Sequence, residues 1–160
     1  MAEPEPRLPM FTDELERTLD SGLRVTLPKD WRSLNITEFF LISGSSSSFI
    51  KAFPRSEYDK FIAKIEDDRS LDEEIRNELL EQIGSACKRV TLDSAGRLAL
   101  PAEFCEKIGV SAKKPQVVLK GAVRTFNVWN PRKLANRQEA TTKMAAAGQA
   151  RMSAKKFLGV

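Results

Sequence analysis

Thr18-Leu19-Asp20-Ser21-Gly22-Leu23-Arg24-Val25-Thr26-Leu27-Pro28 returns, 73 residues on, as Thr91-Leu92-Asp93-Ser94-Ala95-Gly96-Arg97-Leu98-Ala99-Leu100-Pro101. Seven of the eleven positions are identical, which means that one supersecondary unit is encoded twice. The agreement continues downstream. An aromatic residue stands three places after each proline, as Trp31 and Phe104. An apolar run then closes on Gly44 or Gly121, and a second one closes on Pro54 or Pro131, with a Gly-to-Pro spacing of ten in both copies. Four features in the same order identify an internal duplication.

Each unit reads as strand, turn, strand, short helix, hairpin. Residues 17–19 and 89–92 are predicted strands, and Asp and Gly at 20–23 and 93–96 supply turn chemistry. Residues 24–27 and 97–100 alternate polar and apolar, as a half-buried strand does. Pro28 and Pro101 suit the first position of a helix, predicted at 29–34 and at Ala102–Ile108, the latter ended by Gly109. Hairpins come next, at 39–43 with 49–53 and at 116–120 with 124–129, the first turning through Ser45 to Ser48. Trp31, Phe104, Phe126 and Trp129 stand among Leu and Val and are expected in the core rather than stacked on bases.

Between the units, Tyr58, Phe61, Ile62 and Ile65 lie at helical spacing in Arg55–Glu66, with Ser56 and Asp59 resembling a capping pair at its start. A second helix is predicted at 71–83, with acids 72–74 in its first turn. A third is predicted at 131–143, and 144–160, rich in Ala and bases, is expected to be loosely ordered. The organisation expected is thus a disordered extension at 1–10, a first module at 11–54, a helical connector at 55–84, a second module at 85–131, and a C-terminal helix with a basic tail at 132–160.

Composition narrows the function. The chain has no histidine, which removes the commonest general base and every Ser-His or Cys-His pair. Cys87 and Cys105 do not form a zinc motif and read as free thiols. No phosphate-cradling glycine loop and no metal cluster is visible, so neither an enzyme nor a cofactor is expected. No apolar run is long enough for a membrane span, and the first residues lack a secretory signal, so the expected compartment is the cytoplasm. The net charge of +4 is unevenly spread: residues 131–160 carry seven bases and one acid, whereas 57–81 carry ten acids and four bases.

The two Asp-x-x-x-Arg motifs, each trailed by Leu-Pro, resemble those of the MraZ family, bacterial regulators built from two AbrB-like swapped-hairpin modules. Met10-Phe11 also resembles that family's start, at the right spacing from Asp20, so that residues 1–9 read as an extension or Met10 as an alternative start. The resemblance covers about 11 to 140. It implies an α+β fold of two tandem modules forming a pseudo-symmetric unit. It further implies a homo-oligomeric ring, nucleoid-associated, that binds direct repeats in double-stranded promoter DNA of the division and cell-wall gene cluster, often repressing it. No small-molecule substrate is implied. One departure is evident. The family has glycine just before the motif arginine; Gly96 keeps that place, but the first copy has Gly22-Leu23. Leucine resists positive φ, so either the first turn is built differently or Gly22 takes the positive-φ place. The first module is therefore expected to be the weaker DNA reader.

Arg24 and Arg97 are the candidate DNA contacts, because a planar guanidinium suits guanine edges and phosphate. The competing role is an ion pair with Asp20 or Asp93 that fixes the turn, and the two roles are compatible. Asp20, Gly22, Asp93 and Gly96 are expected to be structural. Arg17, Lys88 and Arg89 are candidate phosphate contacts or a solvated strand face, and Lys29 and Arg32 are equally open. The alternative function is a protein-interaction scaffold that uses the acidic helical pair 55–83.

Overall fold

Alternation decides the smallest sheet first. Val25 and Leu98 are fully buried, while the residues on either side of each reach the surface. The strands that carry them, β2 (Arg24–Thr26) and β6 (Arg97–Ala99), pair antiparallel as a two-stranded ribbon, with Arg24 opposite Ala99 and Thr26 opposite Arg97. Each strand of the ribbon comes from a different copy of the repeat. The computed structural model from which this is read describes residues 8–43 and 48–146.

The remaining strands are β1 (Glu14–Thr18), β3 (Glu38–Ser43), β4 (Phe49–Pro54), β5 (Lys88–Thr91), β7 (Gln116–Gly121) and β8 (Phe126–Trp129). They form one antiparallel sheet in the order β1-β7-β8-β4-β3-β5. Exchanging each strand for its repeat mate reverses that order and leaves it otherwise unchanged. The fold is thus α+β and pseudo-twofold, with the axis between β4 and β8. Swapping is built in: β1 of the first copy borders β7 of the second, and β5 of the second borders β3 of the first. The first strand of each copy therefore pairs outside its own unit. The two sequence units interlock and do not sit side by side.

One core fills the space between sheet, ribbon and the short helices α1 (Lys29–Arg32) and α4 (Ala102–Ile108). Its centre is aromatic. Phe11 meets Trp31 edge-on at 5.3 Å and Phe126 at 5.3 Å, and Phe39 meets Phe126 at 5.3 Å. Trp31, Phe104, Phe126 and Trp129 are all buried. Phe11 also bridges to Val123, Pro9 is buried, and the Pro9 carbonyl accepts a 2.6 Å hydrogen bond from Arg124. Order therefore begins before residue 11, because Phe11 drags its neighbours onto the β7–β8 turn. Residues 1–7 lie outside the described residues, as do 44–47 of the first hairpin turn and 147–160 of the basic tail.

Helix α2 (Arg55–Glu66) has the bounds read from its apolar stripe but not the capping pair. Pro54, the last residue of β4, precedes its first turn with φ of −60°, and no side chain caps it. A strand that runs into a helix through proline leaves no residue free to be a Ser N-cap, and Ser56 is already helical. Asp59 lies 4.0 Å from Arg55 instead. Helix α3 (Glu73–Ala86) starts two residues later than the periodicity predicts, because the Asp72 carboxylate caps it by accepting the Ile75 N–H at 2.9 Å. Neither α2 nor α3 has a fully buried residue. Helix α5 (Pro131–Ala146) runs three residues past the predicted end, so the start of the supposedly loose tail is helical. It closes a small outer cluster of Val118, Trp129 and Leu134. Cys87 and Cys105 are free thiols.

Candidate nucleic-acid interface

Both Asp-x-x-x-Arg segments fold into the same turn. In the first, the Asp20 N–H donates to the Arg24 carbonyl and the Leu23 N–H to the Asp20 carbonyl, both at 3.0 Å. In the second, the Asp93 N–H donates to the Arg97 carbonyl and the Gly96 N–H to the Asp93 carbonyl, again both at 3.0 Å. One carboxylate oxygen of Asp20 accepts the N–H groups of Gly22 and Arg24 at 2.9 Å, and the other accepts Arg24 Nε at 2.8 Å. Asp93 does the same with Ala95, Arg97 and Arg97 Nε, at the same distances. Each aspartate is thus both the buttress of the turn and the clamp of its arginine. Hydrogen bonding to the Arg24 backbone N–H, foremost, holds the Asp20 carboxyl below its ordinary value, and the Arg97 N–H does so for Asp93. Both clamps are therefore ionised near neutrality.

The glycine shift does not change the turn. Leu23 itself takes the left-handed conformation, with φ of +59°, where Gly96 has +76°. Gly22 does not supply the positive φ, and its place in the second turn belongs to Ala95. Both alternatives expected from the sequence are thereby corrected. Leucine is held there by its side chain, which is half-buried against the core, and by its carbonyl, which accepts the Leu100 N–H at 3.0 Å. Gly96 accepts the Leu27 N–H in the mirror-image contact.

The ribbon brings the two turns together. Arg97 Nη1 reaches Asp20 of the other turn at 3.5 Å, so the motifs share one surface although 73 residues separate them in the chain. Arg24 and Arg97 remain about a third exposed, at 39% and 34% of the side chain. The clamp uses Nε, and the terminal nitrogens of the two guanidinium groups make no other hydrogen bond among the described residues apart from the Arg97–Asp20 contact. A guanidinium held by one edge presents the other in a fixed orientation, which is what bidentate recognition of a base or phosphate requires.

The other predicted basic residues fall into two groups. Arg17 lies beside the ribbon, where its Nε donates to the Thr26 carbonyl at 3.2 Å. Lys88 and Arg89 are engaged elsewhere: Lys88 lies 3.6 Å from Glu103, and Arg89 pairs with Glu38 at 2.6 Å and covers the Phe40 ring. Of the two residues that the pattern leaves open, Lys29 and Arg32, the second lies against the second turn, its Nη1 within 3.4 Å of the Ala95 carbonyl. Nothing local in the sequence marks it for that place, since the contact spans 63 residues.

Comparisons with known proteins return one family name. A family profile described as "MraZ protein, putative antitoxin-like" matches residues 85–155, the second copy together with α5 and part of the basic tail. A Caulobacter vibrioides protein named "Transcriptional regulator MraZ" is 26% identical over 157 residues, covering 94% of this chain and 98% of its own. One of the same name from a Roseiflexus species is 28% identical over 127 residues, covering 79% of this chain and 85% of its own. A third, from Phenylobacterium zucineum, is 23% identical over 148 residues, covering 91% and 90%.

Proposed function

We propose, from the match to the MraZ profile and to proteins named transcriptional regulator MraZ, that the chain is a member of that family and a transcriptional regulator, a binding protein and not an enzyme, that reads double-stranded DNA with the β2–β6 ribbon. The observation that carries the proposal is the meeting of two equal Asp–Arg turns on one exposed ribbon. The major groove of B-DNA admits a two-stranded ribbon, and arginine held bidentate to guanine is its commonest specific contact. In this reading Arg24 and Arg97 touch base edges, Asp20 and Asp93 aim them, and Arg17, beside the ribbon, contacts phosphate. Lys88 and Arg89, both engaged with acids, are the weaker candidates for phosphate contact.

A ribbon with three-residue strands offers few contacts, so one copy binds weakly. We propose that the protein acts as a homo-oligomeric ring, each subunit meeting one of a series of repeated promoter boxes, where linkage raises the effective concentration of each further contact. The targets proposed are the direct repeats upstream of the division and cell-wall genes, with repression as the outcome, on the nucleoid in the cytoplasm.

The test is a titration of labelled DNA carrying the upstream repeats, against a scrambled duplex, at several salt concentrations. Arg24→Ala and Arg97→Ala are each expected to cost about 1–3 kcal/mol per engaged subunit and to relax sequence preference. Light scattering is expected to show the oligomer unchanged. A double variant that binds the repeats as the parent does would overturn the proposal.

A further inference from the structure

The two turns are equal in backbone but not in surroundings. Position 32 in the first copy corresponds to position 105 in the second, and position 23 to position 96. Over the second turn lies Arg32, an exposed cation; its counterpart Cys105 is fully buried. A β-carbon on Gly96 would overlap Cδ of Arg32 and lie 2.9 Å from its Nη1. Gly96 therefore makes room for this side chain, besides adopting a positive φ that Leu23 shows glycine is not needed for. The first turn carries leucine at the matching place and has no arginine at the position corresponding to Arg32. Arg17 adds to the imbalance: it hydrogen-bonds Thr26, which faces Arg97 across the ribbon, and its counterpart is Val90.

Among the described residues, the ion pairs of the clamped arginines and of Arg89 do not extend to Arg32, which has no acidic partner within 4.0 Å. Its one hydrogen bond, to the Ala95 carbonyl, is long. Arg17 is more firmly tied, its Nε and Nη1 donating to the carbonyls of Thr26 and Glu16, and like Arg32 it has no acidic partner among the described residues. An exposed guanidinium with no carboxylate partner has its donors open to an anion.

We propose that Arg32 is a third DNA-contacting arginine, one that grips a backbone phosphate beside the second turn and makes the Arg97 side of the pseudo-symmetric ribbon the stronger anchor. This rests on the DNA-binding reading above. The roles differ in kind: Arg24 and Arg97 select bases, whereas Arg32 positions the ribbon and does not discriminate among sequences. The unit would then lie on its site with one end held more firmly than the other, which gives a nearly symmetric ribbon a polarity suited to direct rather than inverted repeats.

The experiment is salt-dependent binding of the full-length oligomer to the repeat-bearing and scrambled duplexes. Arg32→Gln is expected to lower the slope of log affinity against log salt by about 0.9 per engaged subunit, and to weaken each contact about fivefold near 0.15 M salt, equally on both duplexes. Arg32→Lys keeps the charge and is expected to retain the slope. Lys64→Ala, which removes an exposed cation from α2, controls for net charge and is expected to change nothing. An Arg32→Gln slope equal to that of the parent, or matched by Lys64→Ala, overturns the proposal. Should the Gln variant alter the oligomer, protection of Arg32 from phenylglyoxal by DNA in the unmodified protein decides: protection supports the contact and equal labelling overturns it. A parent protein that binds neither duplex would instead overturn the DNA-binding reading itself.

Discussion

At the scale of single residues, the aspartate clamp was readable in the sequence and the glycine was not. Asp four places before Arg across a turn leaves few other partners for either, and both pairs form. The expectation for Leu23 failed because a propensity was set against a packing term and only the propensity can be read from a string. Left-handed backbone costs leucine about 1–2 kcal/mol. Burying a leucine fully contributes about 1.5–3 kcal/mol, and Leu23 is half-buried against the core. The two terms are of similar size and opposite sign. Leu23→Gly is therefore expected to change stability by less than about 1 kcal/mol in urea unfolding. Gly96→Ala faces positive φ and the Arg32 side chain together, with no burial in return, and is expected to cost more than about 1 kcal/mol. Equal costs for the two would mean that burial does not offset the left-handed strain at Leu23. The first turn's expected weakness as a DNA reader loses its original reason, since its backbone matches the second; the ranking now rests on Arg32.

At the scale of elements, periodicity and punctuation located most helices and strands. Helix α4 ends where Gly109 takes φ of +78°, and α2 has the bounds that its apolar stripe marks. The misses are at ends, where a cap chosen in three dimensions overrules a pattern, as Asp72 does for α3. Partners were not legible. Adjacent strands β1 and β2 lie in different sheets, and each pairs with the other copy. The Phe11 segment is an equally tertiary element. Its backbone crosses Gly121 so closely that a β-carbon there would overlap the Phe11 carbonyl and lie 2.8 Å from Thr12 Cα. Backbone cannot retreat as a long side chain can, so Gly121→Ala is expected to cost about 1–3 kcal/mol or more and to loosen the N-terminal segment. Thermal unfolding with amide exchange at Phe11 and Val123 measures both. A variant as stable as the parent would show that the crossing has slack.

At the scale of the molecule, interlocking makes one cooperative unit of two repeats. The central core takes Phe11, Trp31 and Phe39 from one copy and Phe104, Val117 and Phe126 from the other, so neither copy closes a core alone. Denaturant unfolding of the protein is expected to show one transition by fluorescence and circular dichroism alike, and residues 11–54 expressed alone are expected to show none. Two separable transitions would contradict the shared core. By itself the sequence determined the duplication, the two Asp–Arg turns, the alternation that makes a ribbon, and the absence of histidine chemistry, because each is written in neighbouring residues and obeys local rules. Only the tertiary structure decided that the strands of one copy pair with the other, that Leu23 accepts the glycine's place, and that Arg32 stands beside the second turn. These depend on contacts spanning 63 residues or more and on balances of a kcal/mol or so between strain and burial, which no local pattern encodes.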